Sequence, residues 1–241
     1  MVKSANLKVI PENCQIILIS IIIPVFNEVS TVRRVIHELE RLKDDFDIEI
    51  IVVDDGSTDG TAEILKLSHY RVDQLILHKR NIGKGAAVRT GLRYAKGQVV
   101  VIQDADLEYN VEDLKGVIEP VKNGTAQICF GSRMHGRPRM RLTNYLANRF
   151  LSFLTSIIFG KKISDVETCY KAFDRRVIDG VSLNEHGFGI EIELAFKALK
   201  KKLSFCEVPV RYSGRSKAEG KKIRFIDGIK AILCIFKYGM A

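Results

Sequence analysis

Val99-Val100-Val101-Ile102-Gln103-Asp104-Ala105-Asp106-Leu107-Glu108 is the stretch that decides the fold class. Its opening residues are β-branched and apolar on both faces. That pattern predicts a strand buried on both sides, as in a parallel sheet covered by helices. The strand then ends abruptly in carboxylates. Side chains at i and i+2 off a strand end can reach one divalent cation. Hard oxygen ligands suit Mg²⁺ or Mn²⁺, with substrate phosphates completing the shell. Asp104 and Asp106 are the expected pair, and Glu108 is a candidate third oxygen.

Outward from this run the same grammar repeats. Ser20–Pro24, Glu49–Val53, Leu75–Leu77 and Gln127–Gly131 read as further strands. Val29–Leu42, Gly60–Ser68, Lys84–Ala95 and Val111–Lys122 read as helices, with apolar residues at helical spacing. Alternation of this kind predicts an α/β layered fold whose loops gather at the carboxyl ends of the strands, where ligands bind. From Arg141 the pattern turns helical: Leu142–Phe159, Gly189–Lys201 and Ile223–Tyr238, with a strand at Ser204–Tyr212. The 241 residues read as one domain, 1–241, with a first half at 19–131 and a second at 132–241.

Other strand ends carry polar clusters too. Pro24-Val25-Phe26-Asn27-Glu28 stops a strand and starts a helix. Val53-Asp54-Asp55-Gly56-Ser57-Thr58-Asp59-Gly60-Thr61 places adjacent carboxylates together, and such a pair needs a counter-ion, N–H donors or a metal. Asp59 reads as a turn or helix cap. In Asn81-Ile82-Gly83-Lys84-Gly85-Ala86-Ala87, two glycines around a lysine at a helix start suit close approach of a phosphate. Walker spacing and a dinucleotide fingerprint are both absent.

The segments 21–28 (IIIPVFNE), 53–61 (VDDGSTDGT), 81–91 (NIGKGAAVRTG), 104–108 (DADLE) and 130–133 (FGSR) resemble, in order and spacing, the family 2 glycosyltransferases with the GT-A fold. More narrowly the chain resembles the polyprenyl-phosphate hexose synthases, the dolichyl-phosphate mannose and glucose synthase group, over about residues 19–228. The resemblance implies a Rossmann-like, mostly parallel sheet flanked by helices, with helical and basic acceptor-side segments after it. It implies a nucleotide-sugar donor, with Pro24, Val25, Asn27 and Glu28 lining base and ribose and Asp54 and Asp55 on the base side. Gly83 and Lys84 would lie near the nucleotide, with Asp104 and Ala105 at the donor. Asp104, Asp106 and Glu108 would hold Mg²⁺ or Mn²⁺ on the diphosphate, and Arg133 would face the transferred sugar or the acceptor phosphate. Asp165 stands where the group has an acidic residue near the acceptor. Orienting the acceptor, acting as base and capping a helix remain open for it.

The charge fits an anionic acceptor. The net charge is +9, yet residues 132–162 carry seven basic side chains and no acidic one, and 196–241 carry twelve against three. A phosphate monoester is already a nucleophilic anion at neutral pH and needs cations to hold it more than it needs a base. Arg133, Arg137, Arg139 and Arg141 are candidates, then Arg211, Arg215, Lys217, Lys221, Lys222 and Arg224, with Arg133, Arg211, Arg215, Lys221 and Lys222 foremost. Glu191 and Glu193 lie on opposite sides of their helix, so at most one faces the site.

The helices 142–159 and 223–238 are apolar between basic ends. Each suits either a core or an anionic membrane surface. No run is long enough to span a bilayer, and the five scattered cysteines fit a reducing compartment. The expectation is inverting transfer of a hexose from a GDP-mannose or UDP-glucose type donor to a dolichyl or undecaprenyl phosphate. It would occur at the cytoplasmic membrane face, by a peripheral protein or one with a membrane-protein partner. A saccharide hydroxyl as acceptor is the alternative. A nucleic-acid module is remote, because residues 212–225 have no aromatics between Tyr212 and Phe225 for base stacking.

Overall fold

A computed structural model describes residues 16–67, 72–136, 138–216, 220 and 225–240. Seven strands form one sheet: β1 (Ile19–Val25), β2 (Ile48–Asp54), β3 (Gln74–Leu77), β4 (Val99–Ile102), β5 (Ile128–Ser132), β6 (Lys171–Asp174) and β7 (Phe205–Pro209). Their order is β3-β2-β1-β4-β6-β5-β7. Every pairing is parallel except those of β6, which runs antiparallel to both β4 and β5.

Among the described residues eight α-helices accompany the sheet: α1 (Val32–Glu40), α2 (Thr61–Leu65), α3 (Lys84–Tyr94), α4 (Leu114–Lys122), α5 (Leu142–Phe159), α6 (Arg175–Ile178), α7 (Ile190–Leu199) and α8 (Phe225–Met240). The expected α/β architecture is therefore present. Helix α1 begins three residues later than the periodicity predicts, because Thr31 and Val32 first close a turn on the Glu28 carbonyl. Strand β7 stops at Pro209, whose ring nitrogen has no hydrogen to donate.

Strands β1 and β2 are buried along their whole length, and Ile21, Ile22, Ile23, Ile50, Ile51 and Val52 are inaccessible to solvent. Full burial of such side chains stabilises by roughly 1.5–3 kcal/mol each. One buried charge interrupts this core. Glu49 lies beside Ser20 in the register, and its Oε1 accepts from the Ser20 hydroxyl at 2.5 Å and the Lys96 and Gly97 N–H groups at 2.6 and 3.1 Å.

The register positions the site. Val25 pairs with Asp54 and Ile22 with Ile102, so the ends of β1, β2 and β4 lie along one edge. The clusters after Val25, Val53 and Gln103 leave the sheet there. Reversed β6 enters from that same edge, bringing Asp165 to Tyr170 with it.

Helices α5 and α8 pack on each other and α8 packs on α7, but each keeps an apolar stripe in solvent. Leu142, Leu146, Phe150, Phe153 and Ile157 recur every three or four residues along α5, and Ile226, Ile229, Leu233, Phe236 and Met240 along α8. Arg141, Arg149, Lys161, Lys162, Lys230 and Lys237 are exposed around them. Among the described residues no helix is long and apolar enough to cross a membrane.

Candidate active site

A cleft of about 760 Å³ opens at the carboxyl edge of the sheet. Pro24, Val25, Glu28, Asp55, Gly83, Lys84, Asp104, Ala105, Asp106, Glu108, Arg133 and Arg215 all line it. These residues come from six different places in the chain. Asn27, Asp54, Asp165 and Arg211 do not line it, and Lys221 and Lys222, like Arg137, Lys217 and Arg224, lie outside the described residues.

The nucleotide-side loops are stitched by side chains. Asn27, in the left-handed region at φ 49°, accepts from Thr58 N–H at 2.8 Å and donates its own N–H to Ser57 Oγ at 2.9 Å. Asp59 accepts from the N–H and hydroxyl of Thr61 and from Val29 N–H, which makes it the turn residue expected, while Gly60 is the N-cap of α2. Asp54 accepts from Ser57 N–H at 3.0 Å, while its Oδ1 is buried without a partner. Asp55 is 2% exposed. It accepts from Ile82 and Gly83 N–H and lies 2.7 Å from His78 Nδ1. The adjacent carboxylates thus obtain N–H donors. His78 is a contributor the sequence reading missed; its one signal is a titratable residue at the end of β3.

The glycines of the 83–85 turn also serve the packing of the fold. A Cβ on Gly83 would lie 2.3 Å from the His186 carbonyl oxygen, and one on Gly85 would lie 2.1 Å from that of Glu185. Gly85 N–H donates to His186 O at 2.7 Å. The close approach is to the 185–187 backbone, which seats Lys84 at the floor of the cleft.

Two ion-pair chains run outward from Asp104-Ala105-Asp106. On one side Lys84 Nζ lies 2.6 Å from both Asp104 Oδ1 and Glu191 Oε1. Burial works against the Lys84 ammonium, but the Asp104 and Glu191 carboxylates hold it protonated well above its ordinary range. On the other side Arg215 pairs with both oxygens of Glu28 at 3.0 Å and with Asp106 Oδ2 at 3.3 Å. Burial, then the charges of Asp104 and Glu108, push Asp106 up to about 7, with Arg215 opposing. That elevation marks a cluster short of positive charge, and a divalent cation would supply it. The candidate donors are the two carboxylates Asp104 and Asp106 rather than the three expected. Glu108 accepts from the Tyr212 hydroxyl and from Arg215 N–H, and among the described residues no three side chains form a closed metal cage. Two carboxylates suit a cation whose remaining ligands come from a diphosphate.

Arg133 and Asp165 form the deepest pair. Asp165 is inaccessible, and its carboxylate accepts Arg133 Nε and a terminal guanidinium nitrogen at 2.7 Å each, plus Arg133 N–H at 3.0 Å. The guanidinium also lies 5.1 Å from the Tyr212 ring centre. Arg211 instead turns to Asp113 at the start of α4 and is mostly exposed. Of the two glutamates on α7, Glu191 faces the cleft, while Glu193 accepts from Asn184 and Glu185 N–H and pairs with Lys197.

Glu167, Cys169, Phe188 and Tyr212 also line the cleft. Glu167 follows Asp165 by two residues, and nothing else in the sequence marks it. Burial, then the Glu191 charge, pushes its carboxyl up to about 7, against the pull of Lys171 and Arg133; Asp165 adds to the rise. The folded state therefore holds this proton more tightly than the unfolded chain. The stability this proton contributes is lost as pH rises from about 4.5 to about 7. Glu167→Gln lacks that loss. Thermal melts should show little difference from wild type at or below pH 4.5 and a gain of roughly 3 kcal/mol above pH 7; a gain independent of pH would contradict the assignment.

A family model described as glycosyl transferase family 2 matches residues 20–181. The dolichol-phosphate mannosyltransferase of Pyrococcus furiosus is 33% identical over 217 residues, 85% of this chain and 60% of that protein. The chain thus spans less than two thirds of that relative's length. The UDP-N-acetylglucosamine–dolichyl-phosphate N-acetylglucosaminyltransferase of Methanococcus voltae is 30% identical over 92% of this chain and 97% of that one. The crystal structure of glucosyl-3-phosphoglycerate synthase from Mycobacterium tuberculosis, in complex with Mn²⁺ and UDP-glucose, matches with a TM-score of 0.71 at 21% identity. It covers 93% of this chain and 79% of its own, a likeness of fold. Strand-end carboxylates on a mostly parallel sheet, a shared cleft and the match over residues 20–181 converge: the chain belongs to glycosyl transferase family 2, with the GT-A fold.

Proposed function

We propose that the protein transfers a hexose from a nucleoside diphosphate sugar to a polyprenyl phosphate, with inversion at the anomeric carbon. The observation that supports this best is the single cleft in which the Asp104–Asp106 pair and Lys84 meet the buried Arg133 and the half-buried Arg215. The first group suits a diphosphate, the second an attacking phosphate. The names of the archaeal relatives point to the same class of acceptor.

In this reading an oxygen of the acceptor phosphate attacks the anomeric carbon as the bond to the diphosphate breaks, and the electron pair leaves with the nucleoside diphosphate. Mg²⁺ or Mn²⁺ held by Asp104 and Asp106 would offset the charge of that leaving group. Lys84 adds a fixed ammonium beside it, and Arg133 holds the acceptor in line. Asp165 spends both oxygens on Arg133 and so positions it rather than accepting a proton. The apolar stripes of α5 and α8, ringed by basic side chains, would rest on an anionic membrane at its cytoplasmic face, where the lipid acceptor resides.

Incubation with uridine and guanosine diphosphate sugars, Mn²⁺ and a polyprenyl phosphate tests the proposal. An acid-labile, organic-extractable product bearing the sugar is expected. Label appearing only on a water-soluble saccharide would assign the acceptor to a hydroxyl and overturn the lipid reading.

A further inference from the structure

Beside Asp104 the cleft ends in a group of charges that, among the described residues, leaves two buried carboxyl oxygens without a partner. Asp104, Asp165, Glu167 and Glu191 face Lys84, Arg133 and Lys171. Arg133 is taken by Asp165, and Lys84 bridges Asp104 and Glu191. Lys171 is inaccessible, stands 5.0 Å from the Phe130 ring centre and donates to the Thr168 carbonyl. Two carboxylate oxygens are left over. Glu167 Oε1 and Glu191 Oε2 are buried with no hydrogen-bond partner, and both residues line the cleft. Glu191 is 5% exposed.

Buried, unpartnered acceptors cost free energy until a donor arrives. With the Asp104 and Asp165 carboxylates close by, hydroxyl groups suit these oxygens better than another anion. Their place fits one part of the substrate. The proposed nucleoside lies against Pro24, Val25 and Asp55 and its diphosphate at Asp104 and Asp106. The sugar is then left on the Lys84–Glu191 side.

We infer that Glu167 is a specificity-determining residue for the donor: together with Glu191 it accepts hydroxyl hydrogens of a neutral sugar and excludes sugars bearing a carboxylate. This rests on the donor reading given under the proposed function. A site built on unpaired acceptors rejects an analogue that cannot supply the donors, and an anionic group there adds repulsion.

Calorimetric titration of the full chain with Mn²⁺ tests it. The probes are UDP, UDP-glucose and UDP-glucuronate, with GDP, GDP-mannose and GDP-mannuronate as the second series. In the series whose nucleoside diphosphate binds, wild type should prefer the neutral sugar over its uronate by about tenfold or more. Glu167→Gln should keep the affinity for the bare diphosphate and narrow that preference to within about threefold, since the amide can donate to a carboxylate. Glu167→Ala, checked by its melting curve, should narrow it too. Preference for the uronate in wild type, or full discrimination in both variants, overturns the inference. Binding of neither UDP nor GDP overturns the donor reading and this inference with it.

Discussion

Asp165→Ala is expected to lose about 3–5 kcal/mol of folding stability, measured by urea denaturation, because it strands the guanidinium of Arg133 in the protein interior. Both partners of this pair are buried: Asp165 is inaccessible and Arg133 is 7% exposed. Exposed ion pairs are worth little because water screens them, but no such screening is available here. The loss has two parts. Three donors that converge on one carboxylate, including Arg133 N–H, lose their acceptor. The remaining positive charge then sits against the Tyr212 ring without the carboxylate that paired with it. Asp165→Asn keeps the shape and an acceptor but not the charge, so its melting point should fall between wild type and alanine. Transfer activity, assayed at a temperature where each variant is folded, should fall with it, because Arg133 is no longer held at the cleft. Wild-type denaturation of Asp165→Ala would mean that Arg133 finds another partner.

The second large effect concerns chemistry rather than stability. Asp106→Ala should reduce turnover by roughly 10²–10³-fold, the scale on which removing one charge-stabilising contact slows a reaction that develops charge on a leaving group. The cluster around Asp106 is overloaded with carboxylates, and Arg215 answers it only in part. Deleting one carboxylate therefore removes repulsion as well as a ligand. The alanine variant should melt no lower than wild type in buffer free of divalent cations, which separates a lost cation site from a lost fold. Initial rates with donor and lipid phosphate over a Mn²⁺ titration provide the measurement. Full activity of Asp106→Ala would remove Asp106 from the cation site altogether.

What the sequence made legible is what local pattern determines. Strands β1, β2 and β4 are apolar runs of four to seven residues, and each is followed at once by the polar cluster that lines or braces the cleft. Once their parallel register is known, Glu28, Asp55 and Asp104 must share an edge. Pairing between distant segments was not legible. Tyr170-Lys171-Ala172-Phe173-Asp174 gives no strand signal: it is short, it starts on a lysine, and its hydrogen-bond partners lie about 40 to 75 residues earlier. Arg211 has the same charge as Arg215, four residues on, yet one turns to Asp113 and the other to Glu28. Sign and spacing cannot separate them. The contact of the 83–85 turn with the backbone at 185–187 was not legible either, because that backbone lies a hundred residues downstream.

The reversed strand β6 bears on whether the two halves of the chain are modules. Strand β5 belongs to the first half by position, yet it bonds only to β6 and β7, both from the second half, and β4 meets β6 along its outer side. A fragment ending near residue 136 would carry β5 with no neighbour and β4 with an open, apolar flank. Such an edge invites self-association. Residues 19–131 are therefore not a portable cassette. Joining them to a foreign second half would require a matching replacement for β6, so change is tolerated in the loops while the interleaved sheet stays whole.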